Sequence, residues 1–157
     1  MDDLAAAQAS SAANLAPNAV GWTHVHTIRK PDRTFRELGI ELQRVSDAVG
    51  NVLPRIKDFE VGFGDNNPFH YREDEAHCYG FGRQMYLKLE ADGDYLKAVW
   101  FDAASGFEEE LSTLRLALKA IDELQPSMIA DYWLNCGGLI GDPAFSDAYF
   151  KMLLNTA

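Results

Sequence analysis

Only two cysteines, Cys78 and Cys136, occur in the 157 residues, too few for a disulfide framework, so both are expected as free thiols in a reducing cytoplasm. Positive charge is also scarce. Fourteen Lys and Arg stand against 24 Asp and Glu, a net charge of -10. A general electrostatic grip on nucleic acid or anionic lipid needs a basic surface, so direct nucleic-acid and membrane partners are disfavoured and a basic protein partner is favoured. No run approaches the ~20 apolar residues that span a bilayer, and the opening MDDLAAAQASSAANLAPNAV lacks the basic start and apolar core of a secretory signal. No internal repeat is visible.

What is present is ordinary globular material, 47% hydrophobic and 24% charged. The length fits one domain with a sizeable core. Residues 1–18, rich in Ala and Ser, read as a tail, and residues 19–157 as a single α+β domain. The expected fold is an antiparallel sheet with a central β-hairpin, Arg83–Asp102, covered on one face by helices.

That hairpin carries the clearest local signal. Asp92-Gly93 between two alternating runs predicts a two-residue turn with both of them central, which pairs Leu89 with Leu96, Lys88 with Lys97, Leu87 with Ala98 and Met85 with Trp100. The buried face is then Met85, Leu87, Leu89, Leu96, Ala98 and Trp100. The outer face is Tyr86, Lys88, Glu90, Tyr95, Lys97 and Val99, with an acidic group expected near the facing lysines.

Elsewhere, Trp22–Ile28 alternates as a strand. A helix is predicted from Pro31–Asp32 to Gly50, with Thr34 and Glu37 as a capping box and Leu38, Leu42, Val45 and Val49 as its stripe. Ile56–Phe63 reads as a strand, Gly64–Ala76 as a loop, and His77–Gly82 as a strand whose glycines imply a bulge or close backbone approach. Ser105 and Glu108 open a second helix with Phe107, Leu111, Leu114, Leu118 and Ile121 inward, stopped by Pro126. Met128–Leu134 is open between a short strand and a buried helical turn, ended by Gly137-Gly138, with Trp133 at least half in the core. Asp142 and Pro143 then cap a last helix with Phe145, Tyr149, Met152 and Leu153 inward.

The search for chemistry returns no catalytic set. His24 and His26 share one strand face as metal ligands can, with His70, His77, Glu73 or Cys78 as further donors, but the spacings match no zinc signature and no metal or cofactor is assigned. Cys136 lacks an assignable histidine and orienting group. Asp58 and Glu60 read as a solvated face, and the glycines of VGFGDNN and YGFGRQ form neither a dinucleotide fingerprint nor a P-loop. Acidic residues interleaved with aromatics remain. They suit the capture of a basic protein, since the field speeds association and the rings supply desolvated contact. The candidate contact residues are Tyr71, Glu73, Asp74, Glu75, Asp92, Asp94 and Tyr95.

Ile129–Leu153, IADYWLNCGGLIGDPAFSDAYFKML, with its DYW, its GD-P and its final aromatic helix, resembles the C-terminal ends of bacterial polymorphic-toxin and contact-dependent-inhibition immunity proteins. The resemblance implies neutralisation of a cognate basic toxin, such as a nuclease, by direct protein–protein binding. The alternatives are a small metal-dependent enzyme using His24 and His26, or a phage-encoded inhibitor that mimics nucleic acid.

Overall fold

The computed structural model describes residues 33–61, 69–72, 77–82, 85–104, 107–131, 133–134 and 136–156. In chain order these form α1 (Leu42–Gly50), β1 (Asp58–Val61), β2 (Phe69–Arg72), β3 (His77–Gly82), β4 (Met85–Asp92), β5 (Tyr95–Ala103), α2 (Glu108–Leu124), β6 (Met128–Asp131), β7 (Cys136–Leu139) and α3 (Pro143–Thr156). The fold is α+β, as its sequence implied. Strands β3-β4-β5 form one antiparallel sheet, and β1-β2 and β6-β7 form two separate antiparallel pairs. The tail at 1–18 and the strand expected at Trp22–Ile28 lie outside the described residues.

The hairpin exists, but its register differs. Its loop is Gly93-Asp94, with Asp92 facing Tyr95 and Ala91 facing Leu96. Gly93 adopts φ +62°, so the residue without a Cβ takes the strained first loop position. Lys97 is then an extra residue on β5: pairing resumes at Glu90–Ala98 and continues through Leu89–Val99, Lys88–Trp100 and Leu87–Phe101. One inserted residue reverses every later side chain. Val99, Phe101 and Ala103 therefore pack on the main core beside Met85, Leu87, Leu89 and Leu96, replacing the expected Ala98 and Trp100.

The reversal has a chemical reason. It buries a larger apolar set and leaves Trp100 where its indole N–H donates to Glu90 Oε1 at 3.1 Å, the partner a part-buried indole requires. The facing lysines separate: Lys97 Nζ donates to Glu90 Oε2 at 3.2 Å, and Lys88 Nζ lies 5.4 Å from the Trp100 ring centre. Tyr86, expected outside, is buried with Cys78 in a second small cluster flanked by Ile56 and Trp100.

The predicted first helix divides in two. Thr34 and Glu37 do form their reciprocal bonds, Thr34 N–H to Glu37 Oε2 at 2.7 Å and Glu37 N–H to Thr34 Oγ1 at 3.2 Å. They cap one turn only. Ile40 N–H donates to Phe35 O and Gly39 N–H to Arg36 O, a Schellman closure that needs the left-handed Gly39, φ +68°. The chain then runs extended along the start of β5, with Leu42 N–H bonded to Asp94 O and Leu96 N–H to Ile40 O. Only Leu42–Gly50 is helical, and it buries Leu42, Val45, Ser46 and Val49.

Strand β3 behaves as its glycines imply. A register shift falls between Gly80 and Gly82, and a Cβ on Gly80 would collide with the Met85 carbonyl oxygen. Its free edge receives Pro54–Ile56, through Gly80 N–H to Pro54 O and Ile56 N–H to Cys78 O. The stretch read as a loop at Gly64–Ala76 contains β2, paired with β1 from Asp58–Arg72 to Val61–Phe69. Its short FHYR run was outweighed in the sequence by the Asn, Asp and Glu on either side.

Helix α2 carries Glu108, Glu109 and Glu110 in its first turn, where the helix dipole favours them. It buries Leu111, Leu114, Ala117, Leu118 and Ile121. Phe107 precedes the helix at N-cap and is 65% exposed, so the stripe begins one turn later than its spacing suggested. Met128–Asp131 resolves as a strand, and Gly137 and Gly138, expected to end it, sit inside its partner β7. Gly138 is required there because the Phe145 ring of α3 occupies the space of a Cβ. Asp142 caps α3 as expected, its Oδ1 accepting Ala144 N–H at 3.0 Å.

Candidate functional site

Two faces hold the residues that bear on function. The first is the β4–β5 turn. Asp92 and Tyr95 are opposite partners in the ladder, and Asp94 stands between them in the exposed loop. Arg36, brought over by the capped turn, donates from Nη1 to Asp92 Oδ1 at 2.8 Å and places its guanidinium carbon 6.0 Å from the Tyr95 ring centre. The Asp92 charge is therefore paired with an exposed cation, whereas Asp94 has no ion pair among the described residues. Tyr71 is opposite Phe59 in the β1–β2 pair. Glu73, Asp74 and Glu75 lie outside the described residues, so the structure joins only Asp92, Asp94 and Tyr95 of the seven candidates.

The second face was largely missed from sequence. Asp131 ends β6, and its Oδ1 accepts both Trp133 N–H and Leu134 N–H at 2.8 Å. Its Oδ2 accepts the Tyr149 hydroxyl at 2.9 Å. One carboxylate thus closes the turn and anchors it to α3. Tyr149 is buried between Phe145, stacked at 5.8 Å, and Phe150, edge-on at 5.5 Å. Burial, with Asp131 adding to it, raises the Tyr149 pKa far above the ordinary phenol. The hydroxyl stays protonated and donating.

On this fixed turn Trp133 is 80% exposed, where its aromatic neighbours in sequence had suggested a core residue. Met128 and Leu139, directly opposite each other on β6 and β7, are exposed by 39% and 42%. The signal available in the sequence was Asp131 two residues before Trp133, the spacing of an Asp side chain that closes a turn on its own backbone. It gives no solvent direction for the ring.

Little here is arranged for bond-making. Ser46 Oγ sits 2.7 Å from His77 Nδ1 and 2.6 Å from the Tyr79 hydroxyl, a serine–histidine contact worth weighing. Ser46 is only 5% exposed, with its hydroxyl engaged on both sides, and with Arg55, His77 and Tyr79 it lines an open cavity of about 370 Å³. Burial, then Arg55, lowers the His77 pKa. The contacts of Ser46 Oγ with His77 Nδ1 and with the Tyr79 hydroxyl tie α1 to β3.

Cys136 is buried, and burial followed by Asp131 pushes its thiol up to about 12, which removes the thiolate a nucleophile needs. Among the described residues no three or more His, Cys, Asp or Glu gather as a metal site. His24 and His26 lie outside them. No described helix is long and apolar enough to cross a membrane. No protein-family model, curated protein or solved structure matches the chain.

Proposed function

We propose that this protein is an inhibitory binding protein of the immunity type, which neutralises a cognate basic toxin by occupying its surface. The supporting observation is Trp133, held out to solvent by a turn that Asp131 and Tyr149 fix from beneath. An indole exposed on a fixed turn gains little within the fold, whereas at an interface it supplies large desolvated area. Met128 and Leu139 extend the apolar contact. The net charge of -10 supplies the long-range attraction that brings a basic partner to it. The turn bearing Asp94 and Tyr95 contributes a second, polar contact.

Binding by the purified full chain to the product of the adjacent gene tests this reading. A stable stoichiometric complex, weakened at least tenfold by Trp133→Ala and by raised salt, is expected. No complex at low salt, or a complex indifferent to Trp133, contradicts it.

A further inference from the structure

The open cavity between α1 and β3, about 370 Å³, is polar, and its lining includes Gln43, Ser46, Asp47, Arg55, His77 and Tyr79. Local structure explains the gathering. His77 and Tyr79 are alternate residues of β3 and share one face of the sheet. Arg55 is the bridge partner of Tyr79, held there by Gly80 N–H to Pro54 O and Ile56 N–H to Cys78 O, and residues directly opposite each other project to the same face. On α1, Gln43, Ser46 and Asp47 recur at helical spacing along one side. The sheet thus supplies a guanidinium, an imidazole and a phenol, and the helix adds a hydroxyl.

Donors outnumber acceptors in this lining. Arg55 offers donors only. Two contacts join the next three groups, Ser46 Oγ to His77 Nδ1 at 2.7 Å and to the Tyr79 hydroxyl at 2.6 Å, yet a serine, a tyrosine and a neutral histidine carry three donor hydrogens among them. One donor therefore remains beyond the trio's own contacts, whichever tautomer the ring adopts. Asp47 supplies the one carboxylate named here, and it already accepts from Gln43 Nε2 at 2.6 Å. Arg55 also stands close enough to His77 to oppose its protonation, after burial, so the cationic group and the trio act on the same space.

The geometry points to a binding site for a small molecule that bears an oxyanion group, a carboxylate or a phosphate, with Arg55 as its charge partner and the Ser46–His77–Tyr79 trio donating a further hydrogen bond. A guanidinium meets either group with the same planar fork. The volume falls at the lower end of small-molecule clefts, roughly 300–1,000 Å³. The net charge of -10 repels anions at long range, so recognition here acts through contact. None of these residues belongs to the Trp133 turn or to the β4–β5 turn, and the site does not rest on the reading of either.

NMR titration of the full chain with sodium acetate and, separately, with inorganic phosphate tests the site, with ionic strength held constant by sodium chloride and the His77 ring and Arg55 Nε–H resonances followed. Saturable shifts of both groups with at least one of the two anions are expected, acetate alone pointing to a carboxylate ligand and phosphate alone to a phosphate-bearing one. Arg55→Gln should raise the Kd at least about tenfold. Asp47→Asn removes a like charge from the lining and should lower it roughly two- to fivefold. A bound oxyanion favours the imidazolium, so saturation should also raise the His77 pKa. A purely structural role for Arg55 and Asp47 would not move the Kd in opposite directions. The absence of a saturable shift with either anion overturns the proposal, and so does an unchanged Kd in folded Arg55→Gln. Should that variant fail to fold, the exposed Asp47 carries the test, because an unchanged or larger Kd in Asp47→Asn also overturns it.

Discussion

Single side chains decide several of the structure's choices, and three substitutions separate their roles. Gly138→Ala sets a methyl against the Phe145 ring and should destabilise by about 1–3 kcal/mol, as overpacking does. The double variant with Phe145→Ala should be less destabilised than the sum of the single changes, a coupling visible in denaturant midpoints. Leu87→Ala, at a position with no exposed surface in the main core, should cost about 3 kcal/mol. Trp133→Ala should change stability by less than about 0.5 kcal/mol, because the ring is in solvent and the Asp131 bonds reach only the backbone of residue 133. A large stability loss there would mean that the ring serves the fold and not a partner.

Elements add a pH signature. Helix α1 is tied to β3 through Ser46, His77 and Tyr79, and the folded state holds His77 below its ordinary 6.5. A depressed histidine favours its neutral form, so the unfolded chain binds the proton first as pH falls. The stability from this contact is complete above pH 6.5 and is lost as pH drops below that value toward the folded pKa. His77→Gln should flatten that part of the stability profile, and an unchanged slope would remove His77 as its origin.

How far the elements were legible follows from what set each one. Helix α2 and the cap of α3 could be read because spacing and capping are local. The β4–β5 hairpin could be read as a hairpin, but its register could not: an extra residue at Lys97 depends on burying Val99 and Phe101 and on giving Trp100 a carboxylate, both tertiary matters. The break after Gly39 was equally hidden, because the competing partner for Ile40–Leu42 is the edge of β5. At the candidate site, charge and aromatic content drew attention to Asp94 and Tyr95, whereas the exposure of Trp133 depends on a turn that is hydrogen-bonded to a helix that follows it.

For the whole molecule, an excess of acidic residues and a tryptophan exposed on a fixed turn together define the proposed role. Salt should slow association of a basic partner with less effect on dissociation, since screening acts on the long-range field. Trp133→Ala should chiefly speed dissociation, which stopped-flow and surface-capture kinetics distinguish. Asp92→Asn should change binding less than Asp94→Asn, because Arg36 already pairs with Asp92. The most direct measurement is titration of the adjacent-gene product with wild-type protein and with Trp133→Ala, both confirmed folded by equal thermal midpoints. The account predicts saturable one-to-one binding by wild type and at least a tenfold rise in Kd for the variant; equal Kd values for the two proteins, or no binding by either, would contradict it.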